Sequence, residues 1–227
     1  MAKQKVIKNN KFKNAFKIAA AALCAAAIVA IVIITGRQNA DKAEKTLNTT
    51  VMGTTASITV YGRNGSDIID DIMDLENNLD EKVISWRSDG SEVWNINHSY
   101  KAGEDYQISD ELADVLERTL EISEDNGDLL DITIRPLAEV WGIESGSTNV
   151  PSQTDIDAAL SDVDVTQVTC ISAKNSSDGK SYVNIAREGM SLDFGAVGKG
   201  YGCDVAADYL EETSVTGACV ALGGSIM

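Results

Sequence analysis

A glycine-rich segment, Leu192–Asp204, constrains this chain more than any other part of its sequence. A strand-like run ends at Asp193, a loop containing Lys199 follows, and a helix is predicted over Val205–Glu212. The loop is built around Gly195, Gly198, Gly200 and Gly202. A tight glycine turn between a strand and a helix leaves backbone N–H groups free to face an anion, with a lysine beside them. We therefore predict a phosphate or pyrophosphate site in this segment.

The N-terminal 36 residues predict a membrane anchor. They contain six lysines and no acidic residue, and the lysines precede an uncharged run, Ile18–Thr35. This run is just long enough to cross the apolar core of a bilayer, and the lysines place the N-terminus in the cytoplasm. A cleaved secretory signal is the alternative, although its apolar region is usually shorter. In both cases we expect an exported domain, joined to the N-terminal segment by a polar tether over residues 37–50.

The charge balance excludes one class of partner. Beyond residue 36, thirteen basic side chains stand against all 35 acidic ones, whereas a protein that binds nucleic acid needs a basic face. A small phosphate ligand remains compatible, because backbone dipoles and one lysine can hold it. His98 is the only histidine, in a polar stretch that predicts a loop, and the cysteines show no Cys-x-x-Cys spacing. A histidine metal cluster, a zinc motif and a Ser-His-Asp triad are therefore not expected.

Helical and strand-like periodicities alternate irregularly from Val51 onward. Predicted strands cover residues 56–60, 165–172, 181–186 and 217–222, and predicted helices follow Ser66 and Ser109 and cover 137–141 and 154–160. No regular βαβ repeat connects them. The pattern predicts an α+β domain over residues 51–227, with mixed or antiparallel sheets and packed helices, preceded by one transmembrane helix.

Four separated motifs identify a family. They are Met52-Gly53-Thr54; Ser85-Trp86-Arg87 with Ser91-Glu92-Val93 and Asn95-Ile96-Asn97; Asp131-Ile132-Thr133-Ile134-Arg135-Pro136-Leu137 with Trp141-Gly142-Ile143; and the glycine-rich segment, followed by Leu222-Gly223-Gly224. Each motif alone is weak. In this order and at these separations, the chain resembles the FAD:protein FMN transferases, the ApbE-like proteins long called thiamine-biosynthesis lipoproteins, across residues 51–227.

The resemblance implies Mg²⁺-dependent transfer of FMN from FAD onto a Ser/Thr hydroxyl of an acceptor protein. Cleavage of the pyrophosphate bond requires neutralisation of the phosphates, usually by a divalent cation and a lysine. The implied partner carries a Ser/Thr-Gly-Ala-Ser/Thr motif and is a membrane redox subunit facing the same extracytoplasmic compartment. Two alternatives use the same site: an exported protein that binds FAD without transfer, and an FAD pyrophosphatase that releases FMN and AMP.

The resemblance also implies roles for individual residues. FAD contacts are implied for Met52, Trp86, Leu129, Leu130, Asp131, Asp193 and Lys199. The backbone carbonyl of Ala196 is the implied magnesium ligand, and Mg²⁺ does prefer hard oxygen donors. Purely structural roles also account for these residue types: a rim or core tryptophan, a strand-end cap at Asp131, and a solvated loop lysine.

The end of the sequence carries a further expectation. Family members continue for on the order of a hundred residues beyond the glycine pair Gly223-Gly224, whereas this sequence stops at Met227. In the family, that part carries a His-x-x-Asp-Pro-x-x-Gly segment and the side-chain metal ligands. We therefore expect the catalytic residues to lie outside this sequence. The 227-residue chain is expected to bind magnesium poorly and to be inactive alone.

Overall fold

The structure is a computed structural model that describes residues 22–40 and 42–227. Its first element, helix α1 (Ala22–Ala40), is 19 residues long and fully exposed. Its length and apolar composition make it a candidate membrane span, and a signal sequence near an N-terminus shares both features. The six lysines and the start of the predicted apolar run lie outside the described residues.

The domain that follows consists of short strands and helices in mixed order. Its strands are β1 (Glu44–Val51), β2 (Thr54–Tyr61), β3 (Asp105–Ile108), β4 (Val168–Ile171), β5 (Ser181–Ile185), β6 (Gly217–Leu222) and β7 (Ser225–Ile226). Its helices are α2 (Gly65–Asn78), α3 (Glu92–Ser99), α4 (Asp110–Asp125), α5 (Arg135–Val140), α6 (Gln153–Leu160) and α7 (Gly198–Glu211). A π-helical turn, Leu79–Ile84, extends α2, and a 3₁₀ turn, Val165–Gln167, precedes β4.

The first sheet is antiparallel, with the strand order β1-β2-β6-β7. Side chains alternate along β2, so Ala56, Ile58 and Val60 face inward and are buried. Helices α2 and α7 contribute Ile72 and Ala206 to the same apolar core. One face of the sheet is thus covered by two helices, and the α+β prediction is confirmed.

The second sheet is also antiparallel, with the order β3-β5-β4, and it packs against α4. The spacing of Leu112, Val115 and Leu116 places all three on the buried face of that helix. Phe194 is buried in this second core, whereas Cys203 is buried in the first. The glycine-rich segment therefore runs from one core to the other.

The predicted tether is too long. Strand β1 begins at Glu44 and pairs with β2 over its whole length, from Glu44 opposite Tyr61 to Val51 opposite Thr54. The sequence pattern conceals this strand because it lies at the edge of the sheet, where only Val51 is fully buried and Leu47 half-buried. An edge strand needs few apolar residues, so its polar composition resembles that of a linker.

The predicted glycine loop is too long as well. Helix α7 begins at Gly198, so Lys199 lies in its first turn and not in a loop before a helix at Val205. Glycine is a poor helix former, which explains the prediction. Two of these glycines are required by packing: a Cβ at Gly198 would lie 2.6 Å from Ile84 Cδ1, and one at Gly202 would lie 3.0 Å from Leu222 Cδ1.

Helix α3 contains the only histidine, where the polar sequence predicts a loop. Ser91 caps this helix, its hydroxyl accepting a hydrogen bond from Trp94 N at 3.0 Å. The ring of His98 stacks on Trp94 with centroids 4.0 Å apart. Polarity is misleading here because the helix fully buries only Val93 and Ile96.

Candidate functional site

A cleft lies where the two apolar cores meet. Met52 packs against both cores and forms part of the cleft wall. The other lining residues come from the π-helical turn, the segment after it and the start of α7: Asp80, Ile84, Ser85, Trp86, Arg87, Phe194, Gly195, Gly198 and Lys199. Residues of three of the four sequence motifs are thereby brought together.

The first motif forms the turn between β1 and β2. Met52 and Gly53 both have positive φ, at 51° and 67°, as a two-residue hairpin turn requires. Positive φ is unusual for methionine, and here the backbone is held in place because Met52 N donates a hydrogen bond to Asp80 Oδ2 at 3.0 Å. The turn directs Met52 to the junction of the cores. Asp80 is a residue of the site that the sequence motifs do not reveal.

The second motif places Trp86 in the wall of the cleft. The Ser85 hydroxyl accepts hydrogen bonds from Arg87 N (3.3 Å) and Ser88 N (3.2 Å), which fixes the chain on either side of the ring. The guanidinium of Arg135 lies over the ring, 3.2 Å from its centroid, and that of Arg87 lies 5.3 Å from it. The indole is therefore held by cations from two different segments.

The glycine-rich segment forms a compact turn into α7. Asp193 Oδ1 accepts a hydrogen bond from Gly195 N at 2.8 Å, and Phe194 O accepts one from Gly198 N at 2.7 Å. The Lys199 ammonium donates to Gly195 O at 3.0 Å. Among the described residues, no carboxylate pairs with this ammonium, and the N–H groups of Lys199 and Gly200 donate to no backbone acceptor. The turn thus offers a cation and free N–H groups to an anion.

The third motif lies beside the glycine-rich segment and does not line the cleft. Asp193 N donates to Ile132 O at 2.7 Å, which joins the two motifs. The Asp131 carboxylate accepts hydrogen bonds from Thr133 N (2.7 Å) and Val165 N (3.0 Å) and so stabilises the local fold. Leu129 is 88% exposed, and the Leu130 carbonyl accepts from Ser123 Oγ at 2.6 Å. None of the three residues from Leu129 to Asp131 therefore lines the cleft with Met52, Trp86 and Lys199, although Asp131 adjoins the Ile132–Asp193 hydrogen bond.

Arg135 is the residue of the third motif that reaches the site. Its side chain is only 10% exposed. Glu139 Oε1 accepts one hydrogen bond from Nε at 3.0 Å and forms an ion pair with Nη2 at 2.8 Å. Nη1 lies 4.0 Å from Asp193 Oδ2. Arg135 belongs to the third motif, but the family resemblance implies no role for it. The available signal was that Arg135 is the one basic residue of this motif and stands next to its proline.

A second cavity, of about 590 Å³, adjoins the cleft. It shares Trp86 and Arg87 with the cleft as a common wall, and its remaining lining residues are Trp94, Asn97, His98, Arg135, Glu139 and Ser191. Small-molecule sites in proteins typically have volumes of roughly 300–1,000 Å³. The second cavity therefore has the volume of a small-molecule site, whereas the cleft itself encloses only about 50 Å³.

Ala196 lies in a different cavity, of about 320 Å³, on the other side of the turn. Arg118, Tyr201, Asp204 and Ser225 contribute to its wall. The Tyr201 hydroxyl donates to Asp114 Oδ2 at 3.0 Å, and burial together with this carboxylate raises the pKa of the tyrosine.

The residues near Ala196 supply few donors to a metal. Within the described ranges, no three His, Cys, Asp or Glu side chains cluster in a way that could hold an ion. Asp204, the carboxylate that lines this cavity, lies 3.6 Å from Arg118 Nη1. A magnesium ion here would receive the Ala196 carbonyl from this chain and would take most of its ligands from phosphate oxygens and water, as Mg²⁺ often does.

Comparison with known proteins assigns the domain. The ApbE family model matches residues 52–227. The FAD:protein FMN transferase of Escherichia coli strain K12 is 26% identical over 149 residues, which cover 65% of this chain and 41% of that protein. The FAD:protein FMN transferase of Treponema pallidum is 28% identical over 180 residues, which cover 78% of this chain and 49% of that protein.

Solved structures share the fold. The flavin transferase ApbE from Vibrio cholerae has a TM-score of 0.71 at 23% identity, covering 81% of this chain and 58% of that chain. The ApbE protein from Thermotoga maritima has a TM-score of 0.69 at 24% identity, and the match covers 81% of this chain and 58% of that chain. The chain spans about half the length of the curated relatives it matches. Because the family match extends over nearly the whole domain, the chain belongs to the ApbE family.

Proposed function

We propose that the whole protein binds FAD and transfers its FMN moiety to a Ser/Thr hydroxyl of an acceptor protein, while the inactivity expected of the 227 residues alone stays a prediction. One observation carries this proposal: Met52, Trp86 and Lys199, from three separate motifs, line one cleft, with Asp193 beside it. Relatives named FAD:protein FMN transferase support the same reaction.

The chemistry of the cleft suits a flavin dinucleotide. The Lys199 ammonium and the free N–H groups at the start of α7 would bind the pyrophosphate. Trp86 would stack on an aromatic ring of the ligand. In the transfer, the acceptor oxygen bonds to the FMN phosphorus and its proton passes to the solvent. The bond from that phosphorus to the AMP oxygen breaks, and AMP leaves with the electron pair of that bond. A cation at the pyrophosphate stabilises the charge that develops on the leaving phosphate.

Magnesium belongs to this proposal as a partner of the ligand. Ala196 lines a different cavity from Lys199, so the pyrophosphate would have to extend around the turn to reach a magnesium ion held by the Ala196 carbonyl, with phosphate oxygens and water as its further ligands. Bound magnesium would supply additional charge neutralisation at the phosphates. Calorimetric titration of MgCl₂ into the protein with and without FAD tests this: tighter magnesium binding with FAD supports the proposal, and equal binding contradicts it.

We further propose that α1 anchors the protein in the membrane with the domain outside the cytoplasm, where membrane redox subunits carrying Ser/Thr-Gly-Ala-Ser/Thr motifs would be the acceptors. The length and apolar composition of α1 support an anchor. Proteolysis of intact spheroplasts tests the orientation: digestion of the domain from outside supports it, and protection contradicts it.

One reaction mixture separates the proposed activity from its alternatives. The whole protein is incubated with FAD, Mg²⁺ and an acceptor domain carrying the motif, and the products are identified by mass spectrometry. The 227-residue chain, predicted to be inactive alone, is tested in parallel and should transfer no FMN. Covalently bound FMN on the acceptor supports transfer. Free FMN together with AMP would show that the protein hydrolyses FAD and does not transfer FMN. Unchanged bound FAD would identify a flavin-binding protein without activity. Absence of any FAD binding would contradict the whole proposal.

A further inference from the structure

Arg135 connects two predicted FAD contacts that are far apart in the sequence. Its guanidinium lies 3.2 Å from the centroid of the Trp86 ring, and its Nη1 lies 4.0 Å from Asp193 Oδ2. The three residues come from three different motifs. Asp193 Oδ1 already accepts from Gly195 N, so its other oxygen is the one that faces Arg135.

The guanidinium is itself held in a fixed orientation. Glu139 lies four residues further along α5. Its Oε1 accepts a hydrogen bond from Arg135 Nε at 3.0 Å and forms an ion pair with Nη2 at 2.8 Å. Nη1 is buried and has no hydrogen-bond partner in the described part of the chain. A buried N–H without a partner is costly. Nη1 nevertheless lies in the buried space where its charge faces Asp193, while the guanidinium lies over Trp86.

Arg135 also restricts how Trp86 can meet a ligand. It lines the second cavity and not the cleft, so it covers the indole from the side of the second cavity. The part of the ring that lines the cleft is left for an aromatic ligand. Lysine cannot reproduce the contact of a guanidinium with the Trp86 ring together with its two contacts to Glu139.

We propose that Arg135 is a positioning residue for the nucleotide, which orients the Trp86 ring and the Asp193 carboxylate for FAD binding. This inference rests on the proposed function, because it assumes that the cleft binds FAD. Arg135 acts through its two neighbours and contacts no reacting atom.

The test compares four variants by FAD titration and by the visible circular dichroism of the bound flavin. Arg135→Met should weaken FAD binding by about tenfold, because the Trp86 ring and the Asp193 carboxylate lose the group that orients them. Arg135→Lys should recover little of this loss, because a positive charge without planar stacking is not sufficient. Arg187→Met, which removes an exposed arginine paired with Asp164 at 3.6 Å, is the matched control and should bind as the wild type does.

Glu139→Gln decides the question if Arg135→Met does not fold, because Glu139 is exposed and lies outside the core. It should weaken FAD binding by a few-fold and change the flavin dichroism, which reports the orientation of the ring and not the stability of the protein. Wild-type affinity and unchanged dichroism in the folded Arg135 and Glu139 variants would overturn this inference alone. No FAD binding by the wild type would overturn both this inference and the proposed function.

Discussion

At the scale of single residues, Glu76 is the most unusual side chain of the domain. It is fully buried in α2, and neither carboxyl oxygen has a hydrogen-bond partner among the described residues. It lies directly against Gly202 of α7. Burial, with a smaller contribution from the negative charge of Asp80, raises the pKa of Glu76 from 4.5 to about 7. The folded protein therefore keeps this carboxyl protonated where the unfolded chain would ionise it.

This shift predicts a pH-dependent stability that Glu76→Gln removes. Because the folded state binds the proton more tightly, the contribution of Glu76 to the free energy of unfolding is complete below pH 4.5 and is lost as the pH rises through 7. The loss amounts to roughly 3 kcal/mol. In urea unfolding, the variant should gain about this much over the wild type between pH 4.5 and pH 8. A difference that does not change with pH would contradict the prediction.

Residue contacts mark the limit of what the sequence alone predicts. The motifs select Met52, Trp86 and Lys199, and the structure places all three in one cleft. Asp80 and Arg135 could not be assigned in the same way. Asp80 supports Met52 across 28 residues of sequence, and the contact of Arg135 with Asp193 depends on how two motifs pack together. Such contacts follow from tertiary packing, which a local pattern does not contain.

At the scale of elements, the packing of α7 on α2 depends on small residues. Helix α7 fully buries Gly198 and Gly202 near its start, and both lie against side chains of neighbouring elements. The sequence predicts strand β6 with its observed bounds from a short run of small and apolar residues, Gly217–Leu222. The sequence does not predict the first turn of α7. Closely spaced glycines suggest a loop, and only the packed structure shows that Gly198 and Gly202 lie against side chains of neighbouring elements.

A pair of alanine substitutions tests this packing. Glycine to alanine in an exposed helix stabilises by up to about 1 kcal/mol. At Gly202, however, the new methyl group would overlap Glu76 and lie 3.0 Å from Leu222 Cδ1, and overpacking costs about 1–3 kcal/mol. Gly202→Ala should therefore lower the melting temperature. Gly200→Ala, with open space around the added Cβ, should leave it unchanged or raise it. Equal effects of the two substitutions would show that α7 does not pack closely at Gly202.

At the scale of the whole molecule, the domain consists of two sheet-and-helix units joined by the glycine-rich segment. Met52 packs against both cores, and the cleft lies at their junction. Periodicity in the sequence predicts the α+β class. The strand orders β1-β2-β6-β7 and β3-β5-β4 could not be predicted, because β6 pairs with β2 across most of the chain. Such long-range pairing leaves no local signal.

Titration of FAD into the protein, followed by flavin fluorescence, tests the central claim most directly. Three proteins are compared: the wild type, Lys199→Met, and Lys174→Met as a matched change at an exposed lysine away from the cleft. A hydrogen bond to a charged group contributes about 1.5–3 kcal/mol. We therefore predict saturable binding by the wild type and Lys174→Met, and at least about tenfold weaker binding by Lys199→Met. Equal affinity of wild type and Lys199→Met, or no saturable binding by any of the three, would contradict the assignment of this cleft to FAD.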